Sequence, residues 1–335
     1  MALGALCFPI GELPRVTVRS VQVLDVEPRP YRRTGSGGFG RTRPRAATAP
    51  YATTNDGVGM AEHRQSRKRR YITWGVAGAA VLAGAGVAAQ TSMAATTWPA
   101  QKTYTGRAFD ACTAPSLAAM KAWKTNGYYG GAAVYVGGKN RGCAQPNLTA
   151  SWVKSVNAAG WKLIPLYVGA QPPCQTGSSP EKITAATATS LGATDGADAV
   201  AKASALGMKA GSPIYLDMEA YDITDKACND AVLAYVRSFT KTLRAKIYRA
   251  GYYGFSSSSA KAIATATNKT DLPGNLWYAL WDKKDTTTAD WPWAATQFTN
   301  HSRGHQYLVN SKETRGGYTI TVDRDTWDAP VAIVG

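Results

Sequence analysis

The sequence predicts an α/β fold, a TIM-like (β/α)8 barrel in which some late helices are missing or replaced by loops. Three observations predict it. Eight short strand-like runs alternate with helix-like segments after residue 105, and several of the runs terminate in an acid. The segment that holds them, residues 95–335, has 241 residues, near the roughly 250 usual for a single barrel.

The first run is Gly106–Asp110, followed past a proline by a helix-like stretch, Ser116–Trp123. Ala132–Val136 comes next, then a helix over Thr149–Ala159 stopped by Gly160. Trp161–Val168 is the third run, and the long stretch Pro180–Leu206 after it ends at Gly207. The fourth, Ser212–Asp217, leads to a helix over Asn229–Ala245 with Val232, Tyr235, Val236 and Phe239 on one face. Ala250–Tyr253, Leu276–Trp281, Ala294–Phe298 and Tyr318–Asp323 complete the eight. Alternating strands and helices imply a parallel, closed sheet. Asp282–Pro292 and His301–Gly317 have no helical pattern, so the last helices are the ones expected to be absent. An open doubly wound sheet is the alternative, and residues 95–335 lack the Gly-x-Gly-x-x-Gly phosphate turn that favours it.

The composition, 18% charged and 44% hydrophobic with a net charge of +16, excludes disorder of the whole chain. Residues 1–94 hold 13 Lys and Arg against 5 Asp and Glu, whereas residues 95–335 hold 25 against 17. Residues 1–59 are aperiodic and read as a disordered leader, or as an over-called start, because Met60 stands just before a complete export signal. That signal consists of the basic stretch Arg64–Arg70, the apolar run Ile72–Ala89 and small residues up to Ala94, with cleavage expected after Ala94 or else Ala89. Arg69-Arg70 before a mild Ala/Gly-rich run leans toward twin-arginine export, with the general secretory route open. The run is the one candidate for a membrane span and is weakly hydrophobic, so contact with the membrane is expected only in transit and a multi-span protein is excluded. Nucleic acid is not an expected partner, since the dense basic excess lies in a leader absent from the mature protein. A secreted or wall-associated monomer is expected.

Cys112, Cys143, Cys174 and Cys228 remain after the signal, an even number suited to two disulfides in an exported protein, with three pairings possible. No Cys-x-x-Cys occurs, and His63, His301 and His305 do not bracket the cysteines at zinc spacing, so no metal or cofactor is expected.

Acids close the strands where barrel active sites assemble. Asp110 ends the first run, Asp217 with Glu219 the fourth and Asp323 the eighth; Asp282 reads as a loop residue, and Asp325 and Asp328 as solvent-facing past the last strand. Two residues apart on extended chain, Asp217 and Glu219 point to one face. Two carboxyls in one partly dry cleft do not ionise independently, and this supplies an acid and a base from neighbours, as glycoside hydrolysis requires. Aromatics gather at the same strand ends: Tyr135, Tyr167, Tyr253, Tyr278 and Trp281 suit a saccharide groove that stacks on sugar C–H faces. Tyr215 and Trp277 read as barrel core.

The motifs Gly106–Cys112, Ile214–Glu219, Leu276–Trp281, Ala295–Phe298 and Thr321–Asp323 resemble an actinobacterial glycoside-hydrolase-like domain family, typically exported by the twin-arginine route, over about Gly106 to Trp327. More distantly, their order is similar to that of the family 25 muramidases, which cut the β-1,4 bond between N-acetylmuramic acid and N-acetylglucosamine. The resemblance implies that Glu219 is the general acid and Asp217 its partner carboxylate, with Asp110 and Asp323 closing the first and last strands. It adds Tyr253 as the aromatic after the fifth strand and Gln297 as a substrate-binding residue. The cysteine-bearing loops and Trp291-Pro-Trp293 are not general muramidase features. In such a barrel Cys112 and Cys143 follow strands one and two, and Cys174 and Cys228 strands three and four, so these are the expected pairs. The implied function is hydrolysis of a cell-wall polysaccharide; the alternative is a non-catalytic wall-binding or remodelling accessory.

Overall fold

A computed structural model of the protein describes residues 97–335. The leader, the export signal and its cleavage site lie outside the described residues.

Eight strands close a barrel in chain order. They are β1 (Thr103–Asp110), β2 (Gly131–Gly137), β3 (Lys162–Val168), β4 (Pro213–Asp217), β5 (Arg249–Phe255), β6 (Asn275–Ala279), β7 (Arg303–Arg315) and β8 (Tyr318–Pro330). Helices α1 (Leu117–Asn126), α2 (Ala150–Ala158), α3 (Ala188–Ala205), α4 (Lys226–Ala245) and α5 (Ser259–Thr265) follow the first five strands. Local chemistry sets their ends: the side chains of Ser116, Thr149 and Asp225 accept from Ala119, Trp152 and Cys228 N–H at 3.2, 3.2 and 3.1 Å, capping α1, α2 and α4. Val232, Tyr235, Val236 and Phe239 are buried on α4, as its apolar stripe predicts.

β1 to β7 pair in parallel, but β8 runs antiparallel to both β7 and β1, so the sheet is not wholly parallel. The expected seventh strand is also displaced. Ala294–Phe298 forms turns rather than a strand, and Phe298, Asn300 and His301 have positive φ. The true β7 lies inside the stretch read as a connection, His301–Gly317, and is joined to β8 by Gly316 and Gly317, both with positive φ. Such a pair matches the right-handed twist of the two strands. Nor does α3 begin at Pro180: backbone N–H groups of Gln171 and Ile183 bond to Glu181 and Gln171 carbonyls at 3.0 and 2.8 Å, which holds that segment extended.

Apolar side chains form two shells. One lies between sheet and helices; the other fills the barrel with Ala108, Ala133, Ile164, Leu166, Tyr215, Trp277 and Trp327. Trp327 meets Tyr215 and Trp277 edge-on at 5.1 and 5.3 Å. Close approach here requires glycine: a Cβ on Gly251 would lie 2.3 Å from the Tyr215 ring, and one on Gly304 2.5 Å from Trp327. This plug fills the barrel beneath the carboxyl ends of the parallel strands.

The disulfides join Cys112 to Cys143 and Cys174 to Cys228, as the loop order predicts, with Cα atoms 5.7 and 5.9 Å apart. The second spans 54 residues, and a loop of that size is worth about 4 kcal/mol by restricting the unfolded chain. Cys174→Ser/Cys228→Ser should lower the urea midpoint accordingly; an unchanged midpoint would contradict this. Among the described residues no helix is long and apolar enough to cross a membrane.

Candidate active site

Alternation along three strands delivers the acids. Asp110 and Asp217 are the last residues of β1 and β4, each two positions beyond an inward-facing residue, Ala108 and Tyr215. Asp110 and Asp323 are direct partners in the β1–β8 ladder, so both face the barrel. The same register carries Asp325 inward opposite Ala108. Asp325 is therefore not solvent-facing: β8 continues to Pro330, and the side chain is 0% exposed. Asp328 has the other parity and bonds His301 Nδ1 at 2.6 Å on the outer surface. Asp282 lies in the loop after β6, as expected.

Past β4, Met218 N–H bonds Tyr253 O at 3.1 Å, and Glu219 N–H bonds Gln171 Oε1 at 2.9 Å. The amide of Gln171, itself buried, donates to the Asp217 and Gly169 carbonyls at 3.1 Å. Extended geometry thus persists through the Asp-x-Glu pair, with Met218 turned to the helices and both acids to the cleft. Asp110, Asp217 and Asp325 are buried, whereas Glu219 and Asp323 are partly exposed, so the site is deepest at the aspartates and opens at Glu219.

Polar neighbours fix the depth of the pocket. Asp110 accepts from Gln306 Nε2 at 2.9 Å and from the Tyr135 hydroxyl at 3.4 Å. Gln306 Oε1 in turn accepts from Tyr253 OH and Trp281 Nε1 at 2.9 and 3.0 Å. Asp323 accepts from Asn310 N–H at 2.6 Å. Tyr135, Tyr253 and Trp281 thus belong to the cluster, and Trp281, 46% exposed, forms its rim beside Phe255.

Three residues expected in the groove are elsewhere. Tyr167 points out of the sheet to α3, where its hydroxyl bonds Asp198 at 3.0 Å. Tyr278 also faces outward, stacked on His305 at 4.4 Å and packed by Trp291 and Trp293, so the tryptophan-rich segment covers the barrel wall rather than the cleft. Gln297 bonds the Ala264 carbonyl at 2.8 Å and lines a groove with Gly274 and Ser302, which precede β6 and β7 at the opposite end of the barrel. Gln171, Gln306 and Asp325 are the site residues that sequence reasoning missed. The Gly316-Gly317 turn between two β-rich runs was the available signal for β7, and with it for Gln306.

Among the described residues no Lys, Arg or His pairs with any of the five carboxyls, and no group of acids, histidines and cysteines could hold a metal ion. Burial raises the proton affinity of all five. The charges of Glu219 and Asp110 raise Asp217 further, and that of Asp323 raises Asp110 against hydrogen bonds from Gln306, Asp325 and Tyr135. Burial likewise lifts the Tyr135 and Tyr253 phenols, which feel Asp110, Asp217 and Glu219 together. The acids therefore form one electrostatic unit that retains protons above the ordinary carboxylate range.

A stability prediction follows from the sign. These groups bind protons more tightly folded than unfolded, so their contribution is complete below the unfolded values and is lost as pH rises through the folded ones. Glu313, where hydrogen bonds from Arg315 and Arg324 outweigh burial, acts oppositely but only below the ordinary range. The melting temperature should fall as pH rises above the ordinary carboxylate range; scanning calorimetry showing a rise there would contradict the assignment.

Against known proteins, the family model "Rv2525c-like, glycoside hydrolase-like domain" matches residues 121–327, more than half of the chain. Among solved structures, the chain is similar to the Tat-secreted protein Rv2525c of Mycobacterium tuberculosis, solved with L-tartrate, at 19% identity and a TM-score of 0.45, covering 67% of this chain and 96% of that one. An uncharacterized B. stearothermophilus protein gives 17% identity, a TM-score of 0.45 and the same coverage. The modular autolysin LytC of Streptococcus pneumoniae gives 16% identity and a TM-score of 0.46, covering 67% of this chain and 47% of LytC. No curated protein matches the chain. Its glycoside hydrolase-like domain and its barrel with acids gathered at the strand ends agree with the family match, and the chain belongs to the Rv2525c-like glycoside hydrolase-like family.

Proposed function

We propose that the protein is an exported glycoside hydrolase that cleaves β-1,4 bonds of peptidoglycan or a related wall glycan. The observation that carries this reading is a partly exposed carboxyl, Glu219, held two residues from the buried Asp217 in a cleft without a countercation. Burial raises the proton affinity of Glu219, which gives its proton to the glycosidic oxygen as the bond to the anomeric carbon breaks. Asp217 stabilises the charge that develops there or orients the substrate's acetamido group, and Asp110 or Asp323 orients the attacking water. Trp281 and Tyr253 supply aromatic surface for the sugar face. The two disulfides support an extracytoplasmic location, and the basic, apolar and small-residue order of residues 60–94 supports export.

The test is mass spectrometry of soluble products after the purified, disulfide-intact protein is incubated with actinobacterial peptidoglycan. New reducing-end muropeptides are expected. Retained binding to the wall polymer without products would replace hydrolysis by the accessory reading.

A further inference from the structure

Asp325 is the fifth carboxyl of the cluster, and the proposed chemistry has no use for it. It sits inside the barrel between Ala108 of β1 and Gln306 of β7, sealed from solvent. Trp277 Nε1–H donates to its Oδ1 at 2.8 Å. Its other oxygen, Oδ2, is equally sealed and receives no donor. The groups that face it are Asp110 from β1, Asp323 from its own strand, Gln306 from β7 and Trp277 from β6, with no cation among them. Asp110 is its diagonal neighbour across the β1–β8 ladder, on the same inward face.

Two neighbouring carboxylates in a dry pocket do not ionise independently. One shared proton resolves the repulsion and gives the orphaned oxygen a partner. Donors decide which acid holds it, because an N–H or O–H aimed at a carboxyl favours the anion. Asp110 has two, Gln306 Nε2 and the Tyr135 hydroxyl, and Asp325 has only Trp277. Asp110 is the better-solvated anion.

We infer that Asp325 is a neutral carboxylic acid at neutral pH, with its Oδ2–H donated to Asp110 and its Oδ1 accepting from Trp277, and that it serves as the positioning residue that holds Asp110 ionised and fixed in orientation. The proton assignment stands apart from turnover; its bearing on catalysis rests on the hydrolase reading above.

Infrared spectroscopy of the intact protein at neutral pH tests the assignment directly, because a neutral acid has a carbonyl band that a carboxylate lacks. Asp325→Asn should remove one such band and Asp110→Asn should retain it. Trp277→Phe should move the same band to higher wavenumber, because Oδ1 loses its hydrogen bond. Persistence of every acid band in Asp325→Asn, or no band shift in Trp277→Phe, overturns the inference. If Asp325→Asn fails to fold, the other two variants decide.

Where the protein hydrolyses glycan, Asp325→Leu should move the acid limb of the kcat/KM profile to higher pH, since Asp110 loses a donor. Asp325→Asn, which still donates, should return that limb toward its original position. Equal limbs in the two variants would show that Asp325 serves only packing. A protein without turnover would refute the hydrolase reading and leave the infrared result intact.

Discussion

Glu219→Gln should reduce turnover of peptidoglycan by about 10²–10⁴-fold, the range a positioned general acid contributes, with the melting temperature almost unchanged. The amide has the shape of the acid but no proton to give to a leaving oxygen. Its structural cost is small because the Glu219 side chain is partly exposed, while the backbone that places it is held independently by Gln171. Muropeptide release measured at saturating substrate, with wall binding measured in parallel, separates the two consequences: release falls and binding persists. Full release by the variant would remove Glu219 from the mechanism.

The second large effect concerns folding. Trp327→Ala should destabilise the protein by about 3–5 kcal/mol, read as a drop in the urea midpoint. The indole is 0% exposed and meets two aromatic rings, and its Nε1–H bonds the Ala329 carbonyl at 3.1 Å. Gly304 leaves the space the ring occupies, and removing the ring opens a void in a close-packed interior. A loss below about 1 kcal/mol, the scale of an ordinary surface change, would mean that the plug does not organise the barrel. Activity of this variant should fall with folded fraction alone, whereas Glu219→Gln loses activity while fully folded.

Much of this arrangement is legible in the sequence. Asp110, Asp217 and Asp323 end or interrupt β-rich runs, and period-two alternation was enough to put Asp217 and Glu219 on one face. The disulfide pairing followed from loop order in a barrel. Errors concentrated where local signals mislead. Leu276–Trp281 is apolar on both faces, and composition alone does not say that Trp277 enters the barrel while Tyr278 leaves it. Ala294–Phe298 has the composition of a strand but no sheet edge to join, because β6 pairs with β7 instead. The strand that replaces it is polar along much of its length, Asn310 to Arg315, where the β7–β8 hairpin runs past the barrel and apolar periodicity disappears. Ending β8 early had the largest consequence: it hid the alternation that makes Asp325, alone among the late aspartates, a buried acid.

The antiparallel last strand also governs when the molecule becomes competent. Asp110 lies on the first strand made and Asp323 on the last, joined by an eight-residue ladder whose members are separated by nearly the whole barrel sequence. Contacts of such separation form late, after shorter loops have closed. A chain without β8 therefore has its Asp-x-Glu pair but an open seam through the cleft, with Asp110 facing water. Closure of the cleft waits for β8, and proteolytic removal of residues 324–335 would open that seam without touching the Asp-x-Glu pair.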